Sequence, residues 1–240
     1  MSNVEFTLIT GATKGIGRAL VDRLHQRGER VIGVSRSHDD SFPDVLITAD
    51  LSDPIARRDA LASIVREYGV TRLVNNVGFN QMQALENITP AMYQKVMDTN
   101  LAAMVDATQA VCPHMRQRKQ GRIVNIASRS LLGRKGGSVY AAAKAAMVGF
   151  TRSWALELAR DGITVNCVAP GPVSTDMFER NNPPGSESRQ LLTQSIPMGR
   201  MGKPEEVADL IDYVLSDGAS FITGQTLFVC GGSSISQQHF

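Results

Sequence analysis

The sequence lacks the features that mark several classes of protein. It holds three cysteines, Cys112, Cys167 and Cys230, without CxxC spacing, so it suggests neither a disulfide framework nor a zinc site. No apolar run approaches the ~18 residues of a membrane-spanning helix, and the first residues lack the basic and apolar regions of a signal peptide. The net charge of +2 is too small to indicate a nucleic-acid partner. We therefore predict a cytoplasmic protein that binds neither membrane nor nucleic acid nor metal.

Nothing in the composition divides the chain. The 240 residues contain no stretch rich in proline, glycine and serine, no block of like charge and no internal repeat. The hydrophobic fraction of 42% is ordinary for a globular protein. We therefore predict a single domain over residues 1–240.

A glycine-rich turn follows the first predicted strand, Phe6–Thr10, and leads into a helical pattern. Glycines at such a turn let the backbone approach a phosphate, and the helix N-terminus offers free N–H groups. A tight turn without a ligand is the alternative, because the spacing G-x-x-x-G-x-G departs from G-x-G-x-x-G. The predicted dinucleotide-phosphate site consists of Gly11, Thr13, Lys14, Gly15, Ile16 and Gly17.

The end of the second predicted strand carries Ser35 and Arg36. In dinucleotide-binding sheets an acid near this point binds the ribose 2′-hydroxyl of NAD, whereas a base accommodates the 2′-phosphate of NADP. Lys14 can reach the same phosphate, and a hydrogen bond to a charged group contributes about 1.5–3 kcal/mol. These cations predict NADP(H) rather than NAD(H). Alternatively, Lys14 and Arg36 are only surface charges. The nearby Asp39 and Asp40 favour this alternative, since an acid near this point is typical of NAD-binding proteins.

Three residues predict acid–base chemistry on a carbonyl. Tyr140 and Lys144 are four apart in a predicted helix and therefore lie on one face. A neighbouring ammonium stabilises a phenolate and lowers a tyrosine pKa from its usual ~10. Ser128 ends a predicted strand and can donate a hydrogen bond to a carbonyl oxygen; Ser130 is the alternative donor. Alternatively, Tyr140 is only a half-buried side chain and Lys144 only a solvated one, without a role in catalysis.

Together these motifs resemble the short-chain dehydrogenase/reductases, and the resemblance extends from Phe6 to about Gly232. It implies an α/β fold, in which a single Rossmann-type domain forms a doubly wound parallel sheet with helices on both faces. It also implies that Asn100 holds a proton-relaying water beside the catalytic Ser128, Tyr140 and Lys144. Further cofactor contacts are implied for Asp50, Leu51, Asn76, Val77, Gly78, Tyr140, Lys144, Pro170, Gly171, Val173 and Thr175.

The resemblance implies an enzyme that uses NADPH to reduce a carbonyl to a secondary alcohol. Length and motifs are similar to those of the 3-oxoacyl carrier-protein reductases, which makes a 3-oxoacyl thioester the leading substrate. Another ketone, a steroid or a sugar remains open, in either reaction direction. A protein that binds a dinucleotide without turning it over is the alternative from another class. The family also implies a homo-oligomer, a tetramer or a dimer, and a substrate loop at about residues 177–198.

Two basic segments have more than one interpretation. Arg129, Arg134 and Lys135 stand in the loop between Ser128 and Tyr140, where they either meet an anionic substrate or are solvated. The basic run at 116–122 is either a solvated helix end or a docking surface for an acidic carrier protein. Asp161 stands where the family carries a basic residue, which argues against docking.

Overall fold

Seven parallel strands form one sheet. The structure, a computed structural model, describes residues 4–175, 178–179, 182–183 and 185–236. All neighbouring strands are parallel, in the order β3-β2-β1-β4-β5-β6-β7. The order reverses between β1 and β4, and this switch point opens a crevice at the carboxyl ends of the strands. The strands are β1 (Glu5–Thr10), β2 (Arg30–Ser35), β3 (Val45–Thr48), β4 (Gly69–Asn75), β5 (Gly121–Ile126), β6 (Ile163–Pro170) and β7 (Thr226–Val229).

Helices cover both faces of the sheet. On one face lie α1 (Gly15–Gln26) and α7 (Pro204–Leu215). On the other lie α2 (Pro54–Glu67), α4 (Ala103–Arg118) and α5 (Ser138–Leu158). Two shorter helices, α3 (Pro90–Met97) and α6 (Glu187–Gln194), precede α4 and α7 respectively.

The sheet separates two apolar cores because successive side chains of a strand point to opposite faces. Leu8 packs into the core beneath α2, α4 and α5, whereas the next residue, Ile9, packs beneath α1 and α7. Both side chains are fully buried, and each such burial stabilises the fold by roughly 1.5–3 kcal/mol. The apolar runs of the sequence are therefore strands that are covered on both sides.

Thr89 and Pro90, a capping residue and a first-turn proline, predict the start of one long helix, but the structure interrupts that helix. Thr89 caps α3 as expected, since its side chain accepts a hydrogen bond from the Met92 N–H. A π-helical turn, Asp98–Ala102, then separates α3 from α4. Such turns widen a helix by one residue, and they are frequent at functional sites.

The predicted substrate loop is partly helical. Within residues 177–198, α6 occupies Glu187–Gln194, and the Ser186 side chain accepts a hydrogen bond from the Arg189 N–H at its start. Met177 and positions 180, 181 and 184 lie outside the described residues. The segment is therefore not a continuous loop.

Candidate active site

A cleft of about 490 Å³ runs along the carboxyl ends of the strands. It brings together residues from opposite ends of the chain, as expected where parallel strands end at one edge of a sheet. Gly17 and Asn100 are the two predicted site residues that do not line it. The predicted residues that do line it are Gly11, Thr13, Lys14, Gly15, Ile16, Ser35, Arg36, Asp50, Leu51, Asn76, Val77, Gly78, Ser128, Tyr140, Lys144, Pro170, Gly171, Val173 and Thr175.

The glycine turn connects β1 to α1 in the way that close approach to a ligand requires. Gly11 and Gly15 have φ angles of 70° and 54°, a region that other residues rarely adopt. Gly17, also predicted at the phosphate site, does not line the cleft. It is buried behind the turn, and a β-carbon there would lie 2.1 Å from the Gly11 carbonyl oxygen. Gly17 therefore allows α1 to pack closely against the turn.

The end of β2 presents cations to the cleft. Lys14 and Arg36 are both exposed and both line it. Thr13 and Ser35 join the glycine turn to β2 through a hydroxyl–hydroxyl hydrogen bond of 2.7 Å. A pocket edge with two cations is suited to a phosphate.

The two aspartates that argued against NADP(H) face other partners. Asp39 binds Arg18 at 2.8 Å and accepts hydrogen bonds from Ser41, and these contacts lower the pKa of its carboxyl. Asp40 lies 3.0 Å from His38 and is fully exposed. Neither aspartate lines the cleft, so neither is placed to bind a ribose there.

Asp50 is an anion in the wall of the cleft. Its carboxylate accepts hydrogen bonds from the backbone N–H and the hydroxyl of Ser52, at 2.9 and 2.7 Å. Partial burial raises the pKa of Asp50, but the Ser52 bonds and the charges of Arg36 and Lys95 outweigh it, so the pKa is lowered. The group is an acceptor at neutral pH.

Asn76 lines the cleft, but its amide serves the protein backbone. Its Nδ2 donates to the carbonyl oxygens of Thr10 and Gly11, both at 3.0 Å. The backbone N–H groups of Asn76 and Val77 donate to the Thr10 hydroxyl. Asn76 therefore fixes the glycine turn against β4.

Ser128, Tyr140 and Lys144 meet at the centre of the cleft. Ser128 Oγ accepts a hydrogen bond of 3.1 Å from the Ser130 N–H, which holds the Ser128 side chain in place. Lys144 is 2% exposed, and its Nζ donates to the Ile126 carbonyl oxygen at 2.7 Å. The same Nζ lies 5.6 Å from the centroid of the Tyr140 ring.

The pKa values of this pair differ from the sequence-based expectation. Burial raises the pKa of Tyr140, although a hydrogen bond with Ser128 and the charge of Arg134 act to lower it. Burial lowers the pKa of Lys144 to about 8. Burial therefore dominates the pKa of both groups in the protein without a ligand, and the Lys144 ammonium donates to the Ile126 carbonyl oxygen.

Asn100 lies in the π-helical turn, behind the cleft wall. Its Nδ2 donates to the carbonyl oxygens of Phe79 and Val96, at 2.8 and 2.9 Å. Its Oδ1 is buried and has no partner among the described residues. A β-carbon on Gly78 would lie 3.3 Å from this oxygen and 3.5 Å from Lys144 Nζ. The two side chains therefore face the same point.

Among the described residues, no helix is long and apolar enough to cross a membrane. Nor do three or more histidine, cysteine, aspartate or glutamate side chains of the described ranges cluster as metal ligands would.

Comparisons with known proteins identify the family. A family model described as enoyl-(acyl carrier protein) reductase matches residues 11–234. A 3-oxoacyl-[acyl-carrier-protein] reductase of Vibrio cholerae is 37% identical over 235 residues, which cover 94% of this chain and 95% of that protein. The chain is a short-chain dehydrogenase/reductase. The family predicted from the motifs is thereby confirmed.

Two further relatives of this short-chain dehydrogenase/reductase have informative names. The (2S)-[(R)-hydroxy(phenyl)methyl]succinyl-CoA dehydrogenase subunit BbsD of Thauera aromatica is 39% identical over 219 residues, covering 91% of this chain and 82% of that protein. A variant of actinorhodin polyketide ketoreductase, solved with NADPH, superposes with a TM-score of 0.88 at 34% identity. That match covers 97% of this chain and 98% of the ketoreductase. The predicted fold class is confirmed.

The sequence analysis missed part of the cleft wall of this short-chain dehydrogenase/reductase. Phe79, Asn80 and Met82 follow β4, and Lys95 reaches the cleft from α3, where its Nζ lies 4.9 Å from the centroid of the Phe79 ring. Phe178, Asn182 and Leu192 come from the segment after β6. None of these residues belongs to a motif. The one sequence feature that these residues share is position. All of them lie in the connections that follow β4 and β6, and the carboxyl ends of both strands face the cleft.

Proposed function

We propose that the protein reduces a carbonyl to a secondary alcohol with NADPH, and that Ser128, Tyr140, Lys144 and Asn100 carry the chemistry. The observation that carries this proposal is the cleft itself, which places Ser128, Tyr140 and Lys144 at the same sheet edge as the glycine turn. Each motif alone is weak evidence, but their convergence at one edge is specific.

The cofactor is NADP(H), and the residues of the cleft fit it. The positive φ angles at Gly11 and Gly15 let the backbone approach a pyrophosphate. Lys14 and Arg36 would hold the 2′-phosphate, with Ser35 beside them. The other positions named above would hold the rest of the molecule: Asp50 and Leu51 at the adenine, and Pro170, Gly171, Val173 and Thr175 at the nicotinamide.

The residues supply the proton and the orientation. When bound, NADPH supplies the hydride that reduces the carbonyl carbon. Ser128 donates a hydrogen bond to the carbonyl oxygen, and Tyr140 transfers its proton to that oxygen as negative charge develops there. Lys144, 5.6 Å from the tyrosine ring, stabilises the phenolate that remains. Asn100 holds the water through which Tyr140 regains its proton.

A 3-oxoacyl thioester is the leading substrate, because the Vibrio cholerae relative is named for this reaction. The Thauera aromatica relative is named as a dehydrogenase of a hydroxylated acyl-CoA, so oxidation of such an alcohol is the second candidate. A coenzyme A thioester suits this chain better than a carrier-protein thioester. Asp161 binds Lys119 at 2.6 Å and Arg116 at 3.1 Å, which offsets part of the positive charge with which that surface would attract an acidic carrier. Another ketone, a steroid or a sugar stays open.

We also propose that the protein acts in the cytoplasm as a homo-oligomer, a tetramer or a dimer. It is one domain, with a substrate segment at about residues 177–198. The two cores on a shared sheet support a single domain.

Replacement of Tyr140 by Phe tests the mechanism. Loss of the acid should lower kcat by roughly 10²- to 10⁴-fold, while NADPH still quenches protein fluorescence as it does in the wild type. Tyr93→Phe is the matched control, because Tyr93 is 48% exposed on α3 and does not line the cleft. Near-normal turnover in Tyr140→Phe would remove the tyrosine from the mechanism. NADPH binding without consumption on any ketone or 3-oxoacyl thioester would favour the non-catalytic alternative.

A further inference from the structure

One cation at the substrate end of the cleft has no partner among the described residues. The loop between Ser128 and Tyr140 contributes Arg129 and Arg134 to the cleft wall. Arg129 is half-buried and donates to the Ser233 carbonyl oxygen at 3.3 Å. Arg134 is exposed and forms no ion pair with any aspartate or glutamate of the described ranges. Its guanidinium is therefore available to a ligand beside the catalytic tyrosine.

Two backbone hydrogen bonds fix the chain at and just after Arg134. The Gly137 N–H donates to the Arg134 carbonyl oxygen at 3.0 Å, and the Gln83 N–H donates to the Gly136 carbonyl oxygen at 2.7 Å. The Arg134 stem passes over Gly137, where an added β-carbon would lie 3.5 and 3.6 Å from Arg134 Cβ and Cδ. Because this packing restricts the Arg134 side chain, the guanidinium loses less conformational entropy when it binds an anion.

The charges of the cleft favour an anion at this end. Among the described residues that line it, Asp50 is the only acid, and its carboxylate accepts hydrogen bonds from Ser52 and interacts with the charges of Arg36 and Lys95. No described carboxylate stands beside Arg134 to repel an anion. The charge of Arg134 also lowers the pKa of Tyr140, against the larger effect of burial. The guanidinium is thus within electrostatic reach of the reacting oxygen.

We propose that Arg134 selects carbonyl substrates that carry an anionic oxygen group, a carboxylate or a phosphate, close to the carbonyl. This inference rests on the proposed function and names the substrate class of the same cleft. A guanidinium presents paired N–H donors that match two oxygens of either group. A hydrogen bond of this charged kind is expected to change kcat/KM by roughly 10- to 100-fold.

Two matched pairs of substrates test the proposal by NADPH oxidation. The first pair is 3-oxobutanoate and its methyl ester, and the second is dihydroxyacetone phosphate and dihydroxyacetone. We expect the wild type to favour the anionic member of at least one pair, which also distinguishes carboxylate from phosphate. In Arg134→Ala the anionic-to-neutral ratio of kcat/KM should fall roughly 10- to 100-fold. In Arg134→Lys it should fall less, because the charge remains while the paired donors are lost.

The ratio isolates recognition from catalysis, since any change in the pKa of Tyr140 affects both members of a pair. Lys135→Ala is the matched control, because Lys135 is an exposed neighbouring cation that does not line the cleft; it should keep the wild-type ratio. An unchanged ratio in Arg134→Ala, or failure of the wild type to reduce either anionic compound, would overturn the inference. Failure of the proposed function is a different result, in which no ketone or 3-oxoacyl thioester consumes NADPH.

Discussion

At the scale of single residues, burial controls the ionisation of Tyr140 and Lys144. Lys144 is enclosed by the protein, so its charged form is disfavoured and its pKa falls to about 8. Burial also keeps Tyr140 in its protonated form, which is the form that an acid catalyst requires. At neutral pH the cleft therefore holds a neutral phenol next to a lysine that is mostly charged.

This ionisation predicts how stability depends on pH. Between about 8 and the ordinary value of 10.5, the unfolded chain binds more protons at Lys144 than the folded chain does. The free energy of unfolding should therefore rise with pH above about 8, by up to about 1.4 kcal/mol per unit from this group. Below pH 8 Lys144 is protonated in both the folded and the unfolded chain, so the full free-energy cost of burying its charge is present. Above pH ~10 the raised pKa of Tyr140 opposes the trend.

Lys144→Met should flatten this slope between pH 8 and 10, as measured by urea unfolding at several pH values. Lys135→Met, at an exposed lysine of the neighbouring loop, should keep the wild-type slope. An identical slope in Lys144→Met and the wild type would contradict the low pKa of Lys144.

The sequence predicts which residues reach the cleft better than it predicts what each of them contacts. Ser128, Tyr140 and Lys144 follow from spacing, because a strand end and one helix face fix their positions. The partners of Asn76 and the burial of Tyr140 depend on neighbours that are distant in the chain. Motifs carry no information on such contacts, so the backbone role of Asn76 and the raised pKa of Tyr140 emerge only from the fold.

At the scale of secondary structure, helix α1 depends on close packing at its first turn. A β-carbon on Gly17 would lie 2.1 Å from the Gly11 carbonyl oxygen and 2.7 Å from Asn76 Nδ2. Because the nearer atom is backbone, Gly17→Ala should displace α1 or the glycine turn. We expect it to destabilise the protein by about 1–3 kcal/mol and to weaken NADPH binding, measured by urea unfolding and fluorescence titration.

Gly149→Ala is the matched control for Gly17→Ala. Gly149 is exposed within α5, and a β-carbon there would meet nothing within 4 Å. Alanine is the better helix former, so this variant should be more stable than the wild type by about 0.5–1 kcal/mol. If Gly17→Ala bound NADPH as tightly as Gly149→Ala does, the inference that Gly17 positions the glycine turn by packing would be wrong.

The break between α3 and α4 shows what periodicity misses. Continuous helical spacing through Asp98–Ala102 gives no sign of the π-helical turn. In the folded protein the Asn100 amide donates to the carbonyl oxygens of Val96 and Phe79. Val96 lies near the end of α3, one turn before Asn100, whereas Phe79 lies on the segment after β4. Such a contact depends on tertiary structure, which local propensity does not describe.

At the scale of the whole molecule, strand order determines where the site lies. Alternating strands and helices suffice to predict a parallel sheet, and a parallel sheet suffices to predict a site at the carboxyl edge. The wall formed by Phe79, Met82 and Leu192 follows from the paths of loops, which no local pattern sets. The cofactor half of the cleft is therefore more predictable than the substrate half.

Cofactor binding should stabilise this single sheet as one unit. A ligand at 100 times its Kd adds about 2.7 kcal/mol to the free energy of unfolding, which for a chain of this size raises Tm by about 5–10 °C. We expect one cooperative transition, with the same midpoint by circular dichroism and by Trp154 fluorescence. At equal concentrations NADPH should raise Tm more than NADH does, because Lys14 and Arg36 line the cleft.

Arg36→Ala should remove most of the difference in Tm between the two cofactors, because the 2′-phosphate loses one of its two cations. Arg58→Ala, at an exposed arginine of α2 that is paired with Asp59 and lies outside the cleft, should keep the difference. Equal Tm shifts by NADH and NADPH in the wild type would contradict the assignment of these cations. Two separate transitions, only one of them shifted by NADPH, would contradict a single domain.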